Sequence, residues 1–180
     1  MPTKTQRLFL DRPRCEDADG LHQICSDPRV WSHFPSLRHG DIEQTQVMVS
    51  RFISAWDRAE LGPWVVKNPS DQSIIGYGGC SIKDDIFWNL GYRFAFDAQG
   101  QGFATELSRE AVRQAKLSRP ELPLVAYLLE HNVASARVAE KVGLTLLHRG
   151  IDAGNPDSKA IRLVYADRAL TEEQLAHIML

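Results

Sequence analysis

The sequence is poor in cysteine, and its three cysteines have none of the spacings of a disulfide-bonded or zinc-binding protein. Cys15, Cys25 and Cys80 are odd in number and form no CxxC or CxxxH pair. We therefore predict no metal site and expect a reducing, cytoplasmic setting. No segment approaches the run of about 18 apolar residues that a membrane span needs. The N-terminus lacks the apolar core of a signal peptide, so no membrane partner is expected.

Positive charge is not in excess either. Lysine and arginine total 21 against 23 aspartates and glutamates, and the two signs are mixed along the chain. Proteins that bind nucleic acids or anionic membranes present a basic patch, so no nucleic acid is predicted as a partner. Any anion that this protein binds must be held by a local site.

The length and composition indicate one globular domain spanning residues 1–180. A hydrophobic fraction of 43% and a charged fraction of 24% are typical of folded proteins. A chain of 180 residues can bury one full core and is short for two domains. A single domain is therefore predicted.

Hydrophobic periodicity predicts the order strand, two helices, three strands, helix, strand, helix and two strands, with a further helix in 171–180. Asp41 and Asn132 are candidate N-caps, and Gly143 is a candidate C-terminal glycine. This order predicts an α+β, or three-layer α/β, fold. We expect a mixed, mostly antiparallel sheet of about seven strands with helices on both faces.

A glycine-rich turn, DAQGQGFATEL at 97–107, lies between a predicted strand and a predicted helix. Gly100 and Gly102 allow backbone conformations that other residues avoid, and they permit close approach of a ligand. The first turn of the following helix offers N–H groups without intrahelical acceptors at the positive end of the helix dipole. Such a turn can bind a phosphate without a basic side chain.

Other interpretations of the turn remain open at this point. Two glycines can simply connect a strand to a helix. A P-loop is excluded because no G-K-[ST] follows. A dinucleotide site is the remaining alternative, with G-x-G-x-x-T and Glu130 after the next strand. Thr105 in place of the third glycine, the late position of Glu130 and the structure preceding the motif weigh against it.

Two motifs resemble the Gcn5-related N-acetyltransferases (GNAT). QGQGFA at 99–104 is similar to the family's Q/R-x-x-G-x-G/A signature, and HNVASARVAEKVGL at 131–144 is similar to its second motif. The order of elements agrees over nearly the whole chain. The stretches at 5–30 and 90–106 most resemble the branch that contains ribosomal-protein N-terminal acetyltransferases.

The resemblance implies that acetyl-coenzyme A is the cofactor. Its pyrophosphate would be held by the main-chain N–H groups of Gln99, Gly100, Gln101, Gly102, Phe103, Ala104 and Thr105. Backbone groups of Phe94 and Ala95, on a strand splayed from its neighbour, would pair with the pantetheine arm. Asn132 would also bond this arm, and a simple helix cap is its alternative role.

The resemblance further implies direct attack of a primary amine on the thioester in a ternary complex. The amine partner would be a protein N-terminus or a small molecule. Ala139 replaces the tyrosine that many relatives use as the acid, so Ser135, near the sulfur in the ribosomal-protein branch, is assigned that role. A helix N3 serine that satisfies the cap is its alternative role. Asn89 replaces a common glutamate base and can position a water. The candidate bases are His33, His39, Asp84, Asp85, Glu130 and His131.

Two further expectations concern the acceptor and the assembly. The aromatic residues Trp31, Phe34 and Trp88 could line the acceptor site, and the family implies a homodimer. The missing tyrosine and glutamate also keep open a non-catalytic acyl-coenzyme A sensor of the same fold.

Overall fold

The structure is a computed structural model and describes residues 3–179. It contains a single eight-stranded sheet and five α-helices. The strands are β1 Thr3–Lys4, β2 Phe9–Asp11, β3 Trp64–Lys67, β4 Ile74–Lys83, β5 Phe87–Phe94, β6 Leu124–Leu129, β7 Thr145–Ile151 and β8 Ile161–Ala166. The helices are α1 Ala18–Cys25, α2 Ile42–Ala59, α3 Phe103–Ser118, α4 Val133–Lys141 and α5 Glu172–Met179.

The strand order is β1-β2-β3-β4-β5-β6-β8-β7, and only the β5–β6 pair is parallel. The predicted α+β class and mostly antiparallel sheet are confirmed. The additional strand is β1, a two-residue segment paired with β2. Two residues are too few to produce an alternating pattern that sequence reasoning could detect.

The helices cover both faces of the sheet, as the sequence predicts. In β3, Trp64 and Val66 join the core on the α3 and α4 side, whereas Val65 packs with α1 and α2. This alternation follows from the two-residue period of a strand. Ile178 of α5 packs against Phe87 in a hydrophobic cluster that is separate from these two.

The predicted helix boundaries at α2 and α4 are confirmed. The Asp41 side chain accepts a hydrogen bond from the Gln44 N–H at 3.0 Å, and the Gln44 side chain accepts one from the Gly40 N–H at 2.7 Å. This reciprocal arrangement satisfies N–H groups that have no partner in the first helical turn. Gly143, with φ of 88°, follows the end of α4.

The last predicted helix is α5, and Leu180 at its predicted end lies outside the described residues. Within residues 3–179, no helix combines the length and the apolar character that crossing a lipid bilayer requires.

Candidate functional site

A cavity of about 400 Å³ opens where β5 and β6 separate. The two strands pair only at Trp88–Leu124 and Asn89–Val125. Beyond this point they diverge, and the cavity lies between them. We call this gap the wedge, lined by Leu90–Phe94 of β5 and Ala126–Leu129 of β6. The residues of β5 and β6 around the cavity are Asn89, Leu90, Gly91, Tyr92, Arg93, Ala126, Tyr127, Leu128 and Leu129.

Backbone groups on the wedge have no neighbouring strand. The Ala95 N–H donates to the Ile75 carbonyl on the β4 side at 2.9 Å, and the Trp88 N–H donates to the Pro123 carbonyl on the β6 side at 2.9 Å. Because this direction alternates along the strand, the even-numbered residues of β5 turn their N–H and C=O groups towards β6. The Asn89–Val125 pairing uses the Leu90 N–H, so the groups left for the wedge are the Leu90 carbonyl, both backbone groups of Tyr92 and the Phe94 N–H. The wedge can therefore accept an extended, amide-containing chain as an additional strand.

This geometry corrects the expectation for Ala95. Its N–H is bonded to Ile75, and its carbonyl accepts from the Ala98 N–H at 2.9 Å, so neither group is available to a ligand. At Phe94 the carbonyl accepts from Gln99 Nε2 at 3.1 Å, and the N–H faces the wedge. The backbone groups of β5 that face the wedge therefore belong to its even-numbered residues.

The glycine-rich turn lies directly before α3. Gly100 and Gly102 have φ of 74° and 82°, in the left-handed region that glycine tolerates best. Gly102 is the N-cap of α3. Within residues 3–179, no protein acceptor is bonded to the N–H groups of Gly100, Gln101, Gly102, Phe103, Ala104 and Thr105.

Gln99 departs from this set, because its N–H donates to the Phe96 carbonyl at 3.2 Å. The Gln99 N–H is therefore already bonded within the turn and is not available as the predicted main-chain donor. Its side chain instead ties the turn to the end of β5 through the Phe94 carbonyl. The remaining N–H groups converge on a helix N-terminus, which is an arrangement that binds anions.

Arg7 braces this turn from the N-terminal segment. Its Nη1 donates to the Gln101 carbonyl at 2.9 Å, and its Nε donates to Glu106 Oε2 at 2.8 Å. Its guanidinium also lies over the Phe103 ring at 4.9 Å from the centroid. Glu106 accepts in addition from the Arg7 N–H and the Thr5 hydroxyl, each at 2.7 Å. The pKa of Glu106 is lowered by these bonds despite partial burial.

The model of the acetyltransferase (GNAT) domain family matches residues 7–145, which is more than half of the chain. The chain belongs to the GNAT acetyltransferase family.

Known relatives agree with this assignment. This GNAT chain is 30% identical to protein YkkB of Bacillus subtilis (strain 168) over 160 residues, covering 80% of this chain and 87% of YkkB. A GNAT-family acetyltransferase from Bacillus anthracis has a TM-score of 0.76 at 20% identity, covering 92% of this chain and 97% of that one.

Ribosomal-protein acetyltransferases are among the structural neighbours. RimL, the ribosomal L7/L12 α-N-protein acetyltransferase, crystallised in complex with coenzyme A, has a TM-score of 0.75 at 19% identity. The alignment covers 92% of this chain and 97% of RimL. At this identity the likeness concerns the fold.

At the start of α4, the GNAT domain places Asn132 and Ser135 on the cavity wall. Asn132 Oδ1 accepts from the Ser135 N–H at 3.2 Å, which makes it the N-cap. No protein partner is bonded to its Nδ2 in residues 3–179, so capping and ligand binding are compatible. The Ser135 side chain lies beside the Tyr92 hydroxyl. Burial raises the pKa of Tyr92, while Ser135 and the charge of Arg93 oppose the rise.

Asn89 lies on the opposite face of β5 from Tyr92. It is directly across from Ser81 in β4, and both residues line the cavity. Gly91 follows on the same face, where an added Cβ would meet nothing within 4 Å. The floor of the cavity is therefore open at Gly91 and polar at Asn89 and Ser81.

Of the candidate bases, only His33 lines this cavity. Its Nε2 is bonded to Arg93 Nη1 at 2.9 Å. Burial chiefly, with the charges of Arg93 and His131, lowers the pKa of His33 to about 4. His33 is thus neutral near pH 7 and accepts a hydrogen bond from Arg93.

The other candidate bases have different surroundings. Glu130 pairs with Arg149 at 2.6 Å, and His131 Nε2 bonds the His33 carbonyl at 2.8 Å. Both line a second cavity of about 540 Å³, which shares His33, Phe34 and Leu129 with the first. His39 bonds the Thr45 hydroxyl at 2.8 Å, and Asp84 and Asp85 form the β4–β5 turn. Neither cavity includes these last three residues.

The aromatic candidates divide in the same way. Phe34 lines both cavities, whereas Trp88 is 1% exposed and belongs to the core on the α3 side. Trp31 is also buried and stacks under the Arg93 guanidinium at 3.9 Å. Tyr92 and Arg93 were missed as site residues, although the N-L-G-Y stretch at 89–92 marks the strand that carries both.

We expect the pH dependence of stability to report on His33. The unfolded chain protonates this imidazole near pH 6.5, whereas the folded protein does so at about 4, so the unfolded state binds more protons between these values. The free energy of unfolding should therefore fall as pH drops from about 6.5 towards about 4. Urea titrations should give His33→Gln a shallower decline than the parent over this window, and equal slopes would contradict the assignment.

Proposed function

We propose that the protein transfers an acetyl group from acetyl-coenzyme A to a primary amine. The observation that carries this proposal is the continuity between the N–H groups of the glycine-rich turn and the unpaired backbone of the wedge. A ligand with a pyrophosphate and an amide-containing arm matches both features in that order. RimL, crystallised with coenzyme A, supports the assignment.

The residues fit this ligand without a basic patch. The N–H groups from Gly100 to Thr105 would hold the pyrophosphate. The Leu90 carbonyl, both backbone groups of Tyr92 and the Phe94 N–H would hold the pantetheine arm together with Asn132. Acetyl-coenzyme A supplies an acetyl group activated as a thioester. A free wedge N–H near the acyl carbonyl would stabilise negative charge on its oxygen, a contribution of about 3 kcal/mol in related sites.

Proton transfers at two atoms accompany acetylation of an amine. An alkyl ammonium has an ordinary pKa near 10, so it must lose one proton to become the attacking neutral amine, and its nitrogen loses a second proton after attack. The departing thiolate must gain one. We assign protonation of the thiolate to Ser135, with the Tyr92 hydroxyl beside it as the proposed source of the next proton in a relay that a double variant tests. We assign Asn89, with Ser81 opposite, to hold a water on the acceptor side.

The non-catalytic alternative has one observation in its favour. Among residues 3–179, the only carboxylate lining the first cavity is that of Asp152, which is paired with Arg162. No described residue on that cavity is therefore a free carboxylate base. An acyl-coenzyme A sensor needs no such base.

A thiol-release assay separates these functions. We expect coenzyme A to appear only when acetyl-coenzyme A and a primary amine are both present. Binding of acetyl-coenzyme A without turnover on any amine would favour the sensor. Stabilisation by NADH but not by coenzyme A would instead restore the dinucleotide interpretation. At 100 times its dissociation constant, a ligand stabilises the fold by about 2.7 kcal/mol, which a melting curve detects.

Arg7→Gln should weaken coenzyme A binding about three- to tenfold. The change removes the charge-assisted bond from Nε to Glu106 and the bond from Nη1 to the Gln101 carbonyl, which hold the turn in its binding conformation. Isothermal titration measures the affinity. Arg109→Gln is the matched control, since it removes the same charge from an exposed position of α3. Equal affinities of both variants and the parent would refute this bracing role.

The same proposal includes the domain organisation, the assembly and the location of the protein. We propose that residues 1–180 form a single domain, consistent with the continuous sheet, and that the protein is a homodimer. We also propose a cytoplasmic location, consistent with the free thiols of Cys15, Cys25 and Cys80. Gel filtration with light scattering tests the assembly.

A further inference from the structure

Arg93 lies on the acceptor face of β5. It shares this face with Asn89 and Gly91, at two-residue spacing, and it lines the first cavity. Tyr92 and Phe94, on the other face, pack towards α3 and α4. Arg93 is therefore placed beside the proposed amine site rather than on the phosphate side.

The guanidinium of Arg93 has no anionic partner. No carboxylate lies within 4 Å of it in residues 3–179. Nη1 donates to neutral His33, and the Nε atom is buried without an acceptor. The indole Nε1 of Trp31, whose ring stacks on the guanidinium at 3.9 Å, is likewise buried without an acceptor. Arg93 as a whole is half-buried and lines the cavity, so an anion bound there would supply the missing counter-charge.

The surroundings hold Arg93 in place. Trp31 stacks on one face of the guanidinium, and His33 fixes Nη1. His33 is fixed in turn through its carbonyl, which bonds His131 Nε2 at 2.8 Å. Fixed donors bind an oxyanion with less loss of conformational entropy than flexible surface side chains do.

The charge balance of the cavity points in the same direction. Its charged lining residues, with His33 neutral, are Lys83, Arg93, Asp152 and Arg162. Asp152 and Arg162 neutralise each other through their ion pair. Lys83 and Arg93 remain without an ion-pair partner in the described chain, so the cavity carries an excess of positive charge. A cationic polyamine would be repelled by this excess.

We propose that the acceptor is a small amine that also carries a carboxylate, bound by Arg93, as in a free amino acid. This inference rests on the proposed acetyltransferase function. Arginine donors match a carboxylate in a planar, bidentate geometry. Gly91 leaves open space between Arg93 and Asn89, where the body of such a molecule fits.

Matched acceptors test the carboxylate. Each set contains an amino acid, its carboxamide and its decarboxylated amine, for example L-phenylalanine, L-phenylalaninamide and 2-phenylethylamine. Further sets use L-leucine, L-methionine and L-lysine. In the best set we expect kcat/KM for the amino acid to exceed that of both partners at least tenfold. An equal or higher value for the amide would overturn the proposal and favour a protein N-terminus.

Variants of Arg93 test the residue. In Arg93→Gln the amino-acid preference should fall at least tenfold, mainly through KM for the acceptor, while Arg93→Lys should recover part of it. Arg109→Gln should keep the parental preference. Retained stabilisation by coenzyme A shows that the variants fold. An unchanged preference in Arg93→Gln would overturn the assignment.

Direct binding separates this inference from the proposed function. Titration of the protein with L-phenylalanine, L-leucine and their decarboxylated amines measures the carboxylate contribution without turnover. A preference for the amino acids, lost in Arg93→Gln, supports the anion site even if no acetylation occurs. Acetylation of amines with no carboxylate preference in either assay would refute the inference and leave the acetyltransferase intact.

Discussion

Gly100→Asp should raise the dissociation constant for coenzyme A about 100-fold. The position has φ of 74°, and an added Cβ meets nothing within 4 Å, so the new carboxylate fits beside the turn. Two charges about 6 Å apart at an effective dielectric constant of 20 repel by about 3 kcal/mol, which corresponds to this factor. Isothermal titration with coenzyme A measures the change.

Gly100→Asn is the matched control for this charge. Asparagine has the same shape as aspartate, and both tolerate the left-handed conformation better than other side chains. We expect Asn to weaken binding less than about tenfold. The penalty of Asp over Asn should also shrink at high salt, because the site is exposed to screening. Equal effects of Asp and Asn would show that no phosphate is held by this turn.

Ser135→Ala should lower kcat about 100-fold and leave KM for acetyl-coenzyme A within about threefold of the parent. General acid catalysis typically contributes 10²–10⁴ in rate, and the hydroxyl is the group we assign to the thiolate. The cap of α4 should persist, because Asn132 accepts from the backbone N–H of Ser135 rather than from its hydroxyl. Steady-state kinetics on the best amine measures both constants.

Tyr92→Phe tests whether Tyr92 passes a proton to Ser135 or whether Ser135 acts alone. If Tyr92 acts through Ser135, the double variant should be little slower than Ser135→Ala alone, because both changes interrupt the same proton transfer. If the two residues contribute independently, the reductions in kcat of the single variants should multiply in the double variant. A kcat of Ser135→Ala equal to that of the parent would refute the acid assignment while leaving the enzyme class untouched.

Local features of this protein were predictable from sequence because they depend on nearby residues. The cap at Asp41 and the glycine after α4 follow from short-range chemistry, as does the start of α3 after Gly102. The order of the longer strands along the chain was also predictable, because each shows the hydrophobic pattern of a strand. The two-residue β1 did not, since its existence depends on pairing with β2.

The parts that sequence could not supply depend on which face or edge a residue occupies. Phe94 and Ala95 are adjacent, yet their backbone N–H groups point to opposite edges of β5. Only the pairing with β4 decides which of the two N–H groups faces the wedge. Trp31 and Trp88 are both buried aromatic residues, but one contacts Arg93 and the other lies in the core on the α3 side. The uncompensated charge of Arg93 became visible only when the surrounding elements were in place.

The wedge divides the sheet into two halves, β1–β5 and β6–β8, which share only two residue pairs in the described chain. The contact between the halves therefore depends largely on the hydrophobic layer that both contribute beneath α3 and α4. That layer contains Leu90 of the first half and Ala126 and Leu163 of the second. A molecule that hydrogen-bonds both strands bordering the wedge would connect the two halves a second time. Ligand binding in the wedge and the rigidity of the whole sheet are therefore coupled.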